Sequence, residues 1–85
     1  MPYISEEQRQ KINEGALPDN AGELNYFITT HLLRYLEGQG KRYSTFNEIM
    51  GVLSCVAQEF YRRWAAPYED QKLQENGDVQ AVSPK

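Results

Sequence analysis

The amino-acid sequence predicts an all-α protein: an antiparallel helical hairpin with short flanking helices, assembling into an oligomeric helical bundle. Three observations predict it. Apolar residues recur at three- and four-residue spacing over two long stretches. No segment alternates with period two for more than a few residues. Capping residues and helix stops punctuate the chain between the apolar stretches. At 85 residues the chain makes one small helical domain over residues 1–79. It reads as an N-terminal arm at 1–19, a hairpin core at 20–66, a short C-terminal helix at 67–77 and a flexible tail at 78–85.

Each element has its own signal. Ser5 with Gln8 three residues later forms a capping box, and Glu6 and Glu7 suit the positive end of the helix dipole. Gly15 ends this piece, and its few apolar residues, Ile4 and Ile12, predict an arm that docks weakly. Asn20 with Glu23 opens a second helix. Leu24, Phe27, Ile28, His31, Leu32 and Tyr35 then form one continuous stripe, widened by Tyr26 and Leu33. Gly38 and Gly40 are expected to stop it. Thr45 with Glu48 is expected to cap a third helix. Its core stripe is Ile49, Leu53, Val56, Phe60 and Trp64, broadened by Phe46, Met50, Val52, Ala57 and Tyr61. Gly51 in mid-helix costs ~1 kcal/mol against Ala, which suggests close approach by another helix or simple tolerance. Pro67 is expected to break or kink this helix and to start a new one, ended by Gly77.

Size and side-chain inventory argue for self-association. A chain this short buries only ~60% of its unfolded surface. The sequence holds one Cys and one His, so an internal disulfide and a four-ligand structural zinc site are both excluded. Oligomerisation is the remaining source of stability. Two broad apolar helix faces, more than one hairpin can enclose, point the same way.

Composition excludes other classes. The chain is 40% hydrophobic and 25% charged, as folded proteins are. No apolar run approaches the ~20 residues that span a bilayer, and the polar, acidic start, MPYISEEQRQ, has no signal-peptide pattern. With Cys55 alone, this points to a reducing cytoplasm. A net charge of −3 disfavours broad nucleic-acid binding. The charge is uneven, with acidic ends and a middle, 21–66, holding five basic and four acidic residues.

Two basic clusters sit in that middle. Lys41, Arg42, Tyr43, Ser44 and Thr45 follow Gly38-Gln39-Gly40 at the start of a helix, where free N–H donors favour phosphate. Arg42 can fork onto a phosphate and Tyr43 can stack on a base. The P-loop spacing is absent, and an exposed hairpin turn with a capped helix is the simpler and favoured explanation of the stretch. Arg62 and Arg63 form the second cluster: one paired on the surface with Glu59 or Glu69, the other open to an anion across an oligomer interface. The two clusters lie ~27 Å apart along the third helix, so one small ligand meets both only through assembly. His31 is expected in a core or interface and Cys55 as a buried, inert thiol. No cofactor, no metal set and no nucleophile with its base is visible, so an enzyme ranks last.

The strings Ala21-Gly22-Glu23-Leu24-Asn25-Tyr26, Asn47-Glu48-Ile49-Met50-Gly51-Val52-Leu53-Ser54-Cys55, Glu59-Phe60-Tyr61-Arg62-Arg63 and Ala66-Pro67-Tyr68-Glu69-Asp70-Gln71-Lys72 occur in a recognisable order, closed by Glu75-Asn76-Gly77-Asp78-Val79. Over roughly 20–79 the chain resembles a family of small uncharacterised proteins of tailed bacteriophages and prophages. The resemblance implies a place in the cytoplasm of the infected bacterial host and an accessory, anti-defence role. It carries over no functional residue. By analogy of size and helical form, the expected function is a non-enzymatic sponge for a small anionic immune signal, a cyclic nucleotide or ADP-ribose type, bound by the two basic clusters. The alternative is a helical protein–protein adaptor or inhibitor of a host enzyme.

Overall fold

Helices account for about four fifths of residues 4–77, the part of the chain that this computed structural model describes. They are α1 (Glu6–Asn13), α2 (Ala21–Gln39), α3 (Tyr43–Phe60), a π-helical turn (Tyr61–Ala65) and α4 (Ala66–Asn76). Among the described residues there is no strand. The expected tail at 78–85 lies outside them. The fold divides into two compact units, one ending at Asn47 and the other beginning at Glu48.

In the first unit, polar chemistry joins α1 to α2. The Ser5 side chain accepts from the Gln8 N–H at 3.1 Å and the Gln8 side chain accepts from the Ser5 N–H at 2.8 Å. This is the reciprocal box expected from the sequence. The amide of Gln8 then donates to Glu23 Oε2 at 3.0 Å. Glu23 is 2% exposed. Its other oxygen accepts from the Asp19 N–H at 2.9 Å, and Lys11 Nζ lies 3.2 Å from the first. Lys11 also bonds Asp19 Oδ2 at 3.0 Å. Asn20 caps α2 through the Glu23 N–H, at 2.9 Å. A buried carboxylate with this many donors has its desolvation offset.

Ile4 and Ile12 pack beside this network at 4% and 6% exposure. The arm expected to dock weakly meets α2 through these bonds. Two apolar side chains suffice because the Gln8–Glu23–Lys11 bonds hold the helix over them. Tyr26 O–H adds a bond to Asn13 Oδ1 at 3.0 Å, and Arg9 Nη1 donates to the Ile4 carbonyl at 2.9 Å. Leu36, at 6% exposure, is the remaining buried apolar residue among those described. Gly38 stays inside α2, which ends at Gly40 with φ of +104° and its N–H on the Leu36 carbonyl at 2.8 Å.

α3 starts two residues before the expected cap. The Arg42 carbonyl accepts from the N–H groups of Thr45 and Phe46 at 3.0 and 3.1 Å, so Thr45 is the third helical residue and not the cap. Pro67 does not break the chain of helices. The Ala66 N–H bonds the Tyr61 carbonyl, five residues back. This wider turn takes up the ring clash and missing N–H of Pro67, and Pro67 enters the first turn of α4. Gly77, with φ of +88°, ends α4.

Two outcomes test the α1–α2 joint. Ile12→Ala should lower stability by about 2 kcal/mol, read from denaturant melts followed by circular dichroism. The Glu23 carboxyl is held below its ordinary value, first by the Asp19 N–H and then by Gln8 and Lys11. Its folded value lies below its unfolded one, near 4.5, so its contribution is full above that pH and is lost as pH falls through the folded value. The melting midpoint should drop steeply with acid below about pH 4.5. In Glu23→Gln the midpoint should be lower at neutral pH and flatter across that window.

Candidate functional site

The residues singled out from the sequence divide between the units: Lys41 to Thr45 in the first, Arg62 and Arg63 in the second. Lys41, Arg42, Tyr43 and Ser44 are exposed, Tyr43 by 82%. Thr45 is 1% exposed and offers no surface to a ligand. The Arg42 guanidinium folds back over Gly40, where a Cβ would meet Nη1 at 3.2 Å. Glycine is favoured there by the positive φ. Among the described residues, neither Lys41 nor Arg42 has a side-chain hydrogen bond or ion pair.

The two arginines of the second unit differ. Arg63 Nη1 pairs with Glu59 Oε2 at 2.9 Å, and its guanidinium lies 4.6 Å from the centre of the Trp64 ring. Arg62 has no such partner among the described residues. Glu69, one of the acids expected to pair with an arginine, instead accepts from Tyr61 O–H at 2.8 Å. The bond runs across the π turn and holds the phenol above its ordinary value of 10.

The largest feature was read from the sequence as core. No described residue from Glu48 to Gly77 is buried. Met50, Val56, Phe60 and Trp64 are 52–64% exposed, and Tyr68 of α4 is 59% exposed. Ile49 and Leu53 are half-buried. The Phe60 and Trp64 rings stack at 5.6 Å, which makes a continuous apolar surface. A Cβ at Gly51 would have nothing within 4 Å, so no close approach by another described helix accounts for it. Cys55, expected buried, is exposed.

α2 carries a second, smaller apolar face, with Leu24, Ile28 and Tyr35 exposed by 43–49%, and Leu33 is exposed on its opposite side. His31 is exposed on that helix. Its Nδ1 is 2.8 Å from the Phe27 carbonyl, which places the proton on that nitrogen, and its ring stacks on Phe27 at 4.4 Å. The surface also carries open grooves. One of about 320 Å³ lies against Glu6, Arg9, Asn13 and Tyr26, and one of about 370 Å³ runs along Tyr68, Lys72 and Leu73. Among the described residues no three His, Cys, Asp or Glu side chains could hold a metal ion. No helix there is long and apolar enough to cross a membrane.

The sequence missed the Glu23 network and the Tyr61–Glu69 bond. Both join residues whose proximity depends on a turn, between α1 and α2 or through the π turn, so no helical spacing announces them.

The family model described as Domain of unknown function (DUF6899) matches residues 1–79, and the chain belongs to that family. The description names no activity. No curated protein and no solved structure matches the chain.

The Tyr61–Glu69 bond gives a direct check on the π turn. One tyrosine should ionise late in an ultraviolet titration, above pH 10. In Glu69→Gln that late step should move back into the ordinary tyrosine range. The folded value of Tyr61 is the raised one, so this bond stabilises below about pH 10 and is lost as pH rises through the folded value.

Proposed function

We propose that this DUF6899 chain is a non-enzymatic interaction protein that works by laying its α3–α4 apolar face on another polypeptide. One observation carries the reading: a segment holding Met50, Phe60, Trp64 and Tyr68 buries no described residue. Burying one such side chain is worth ~1.5–3 kcal/mol, and contiguous apolar patches of this kind mark interaction surfaces. The composition of α3 agrees. Its 18 residues, Tyr43–Phe60, hold two charged side chains, Glu48 and Glu59, and interface cores are poor in charge and rich in aromatics and Met. In the setting implied by the resemblance to phage proteins, this is an accessory adaptor or an inhibitor of a host enzyme, acting in the cytoplasm of an infected bacterium.

A second reading rests on the loop. Lys41, Arg42 and Tyr43 are exposed at the start of a helix, and neither cation has a partner among the described residues. That supports sequestration of a small anionic nucleotide, with Arg62 and Arg63 joining the site through assembly.

Photo-crosslinking in cells tests the first reading. A photoreactive residue at Met50 or Phe60 should give polypeptide adducts, and one at Gln58, off the stripe, should give few. Equal yields from both faces, or none from the stripe, would remove it. Thermal shift against cyclic nucleotides and ADP-ribose tests the second. A ligand at ~100 Kd should add ~2.7 kcal/mol of stability, and Arg42→Ala should weaken that ligand about tenfold. No shift with any nucleotide removes the sponge.

A further inference from the structure

We propose that the polypeptide on the α3–α4 face is a second copy of this chain, lying antiparallel to the first. The inference rests on that face being an interaction surface and goes further by naming its occupant and direction.

Area favours a self-complementary pair. Phe46, Phe60, Tyr61, Trp64 and Tyr68 are each 49–61% exposed. At 150–250 Å² per aromatic side chain they offer roughly 400–700 Å², and Met50 and Val56 add to it. A stable interface takes about 800 Å² from each partner. The aromatics of one continuous face therefore supply at least about half of that area, and Met50 and Val56 bring it closer. Its knobs are mixed in size, large at Phe46, Phe60 and Trp64 and small at Val56 and Ala57.

Charge sets the direction. Parallel pairing puts Arg62 and Arg63 of each copy beside the same residues of the other, a like-charge contact with one arginine already lacking an acid. Antiparallel pairing separates these pairs. It brings α4, which holds Glu69, Asp70 and Glu75 against Lys72 alone, toward the end of the partner's α3 that Lys41 and Arg42 precede. Opposed helix dipoles favour the same arrangement.

The test uses the full chain. Light scattering from 10 to 100 µM protein should give twice 9.8 kDa or a multiple of it. Phe60→Glu should shift the population toward monomer or unfold it. Leu17→Glu, altering an exposed apolar residue between α1 and α2, should change neither mass nor helicity. Direction is read from spin labels at Gln74→Cys in a Cys55→Ser background. Antiparallel copies hold the two labels on the order of 50 Å apart. Parallel copies hold them within about 30 Å, and that result overturns the proposal. A folded monomer across the range also overturns it but leaves the interaction surface for a different protein. A folded monomer whose Phe60→Glu variant melts like the parent and gives no stripe-specific adducts overturns both.

Discussion

Pro67 is the constraint around which the second unit is organised. Its nitrogen cannot donate, and its ring collides with the carbonyl four residues back. An α-helix would kink or stop there. The chain instead widens one turn, Tyr61–Ala65, and continues. A turn closed five residues back holds about one extra residue, so it removes roughly 80–100° of rotation from all that follows. Eight residues of plain α-helix would carry Tyr68 about 80° away from Phe60. With the wide turn between them, the two share a face. The Tyr61–Glu69 bond at 2.8 Å, also eight residues apart, is the same alignment seen in a contact. The proline thus keeps α4 in register with the apolar stripe of α3.

The first unit solves the small-chain problem differently. It has little apolar surface to bury in α1, and it uses a carboxylate. Glu23 receives the Asp19 N–H, the Gln8 amide and the Lys11 ammonium. The same Gln8 completes the cap of α1, and Asn20 caps α2 through the Glu23 N–H. Two helix starts and the connection between them are therefore one network. Such a network is stable only when complete, because a buried carboxylate that loses donors bears its full desolvation cost.

How far the sequence revealed this depends on the range of each interaction. The caps at Ser5 and Asn20 were legible because a capping box is local, three residues from donor to acceptor. The stop at Gly77 was legible for the same reason. The start of α3 was misread, because Thr45 with Glu48 imitates a box and the Arg42 carbonyl takes the capping position without any side-chain signature. Gly38 was misread as a stop because glycine is tolerated inside a helix at a cost of ~1 kcal/mol. Pro67 was read correctly as a disturbance, but a π turn has no sequence signature that separates it from a break. Among the site residues, the exposure of Lys41, Arg42 and Tyr43 fits a loop reading and the Glu59–Arg63 surface pair was legible from its four-residue spacing, whereas the burial of Thr45 depends on packing.

The apolar periodicity of α3 was also legible, but periodicity reports a face and not what covers it. The same pattern, Ile49, Leu53, Val56, Phe60 and Trp64, serves a helix buried in its own domain or one buried against another molecule. What separates the two cases is whether the chain has the surface to cover it. The described residues spend α1 on a polar joint and leave apolar side chains exposed on both α2 and α3, and none of them from Glu48 to Gly77 is buried. A face with two charges over the 18 residues of α3 is also poorly suited to water. The stability missing from one copy and the surface available for recognition are therefore the same residues. Binding at that face and folding of the second unit are expected to be coupled, with the ordering entropy of the helix offset only once its apolar side is covered.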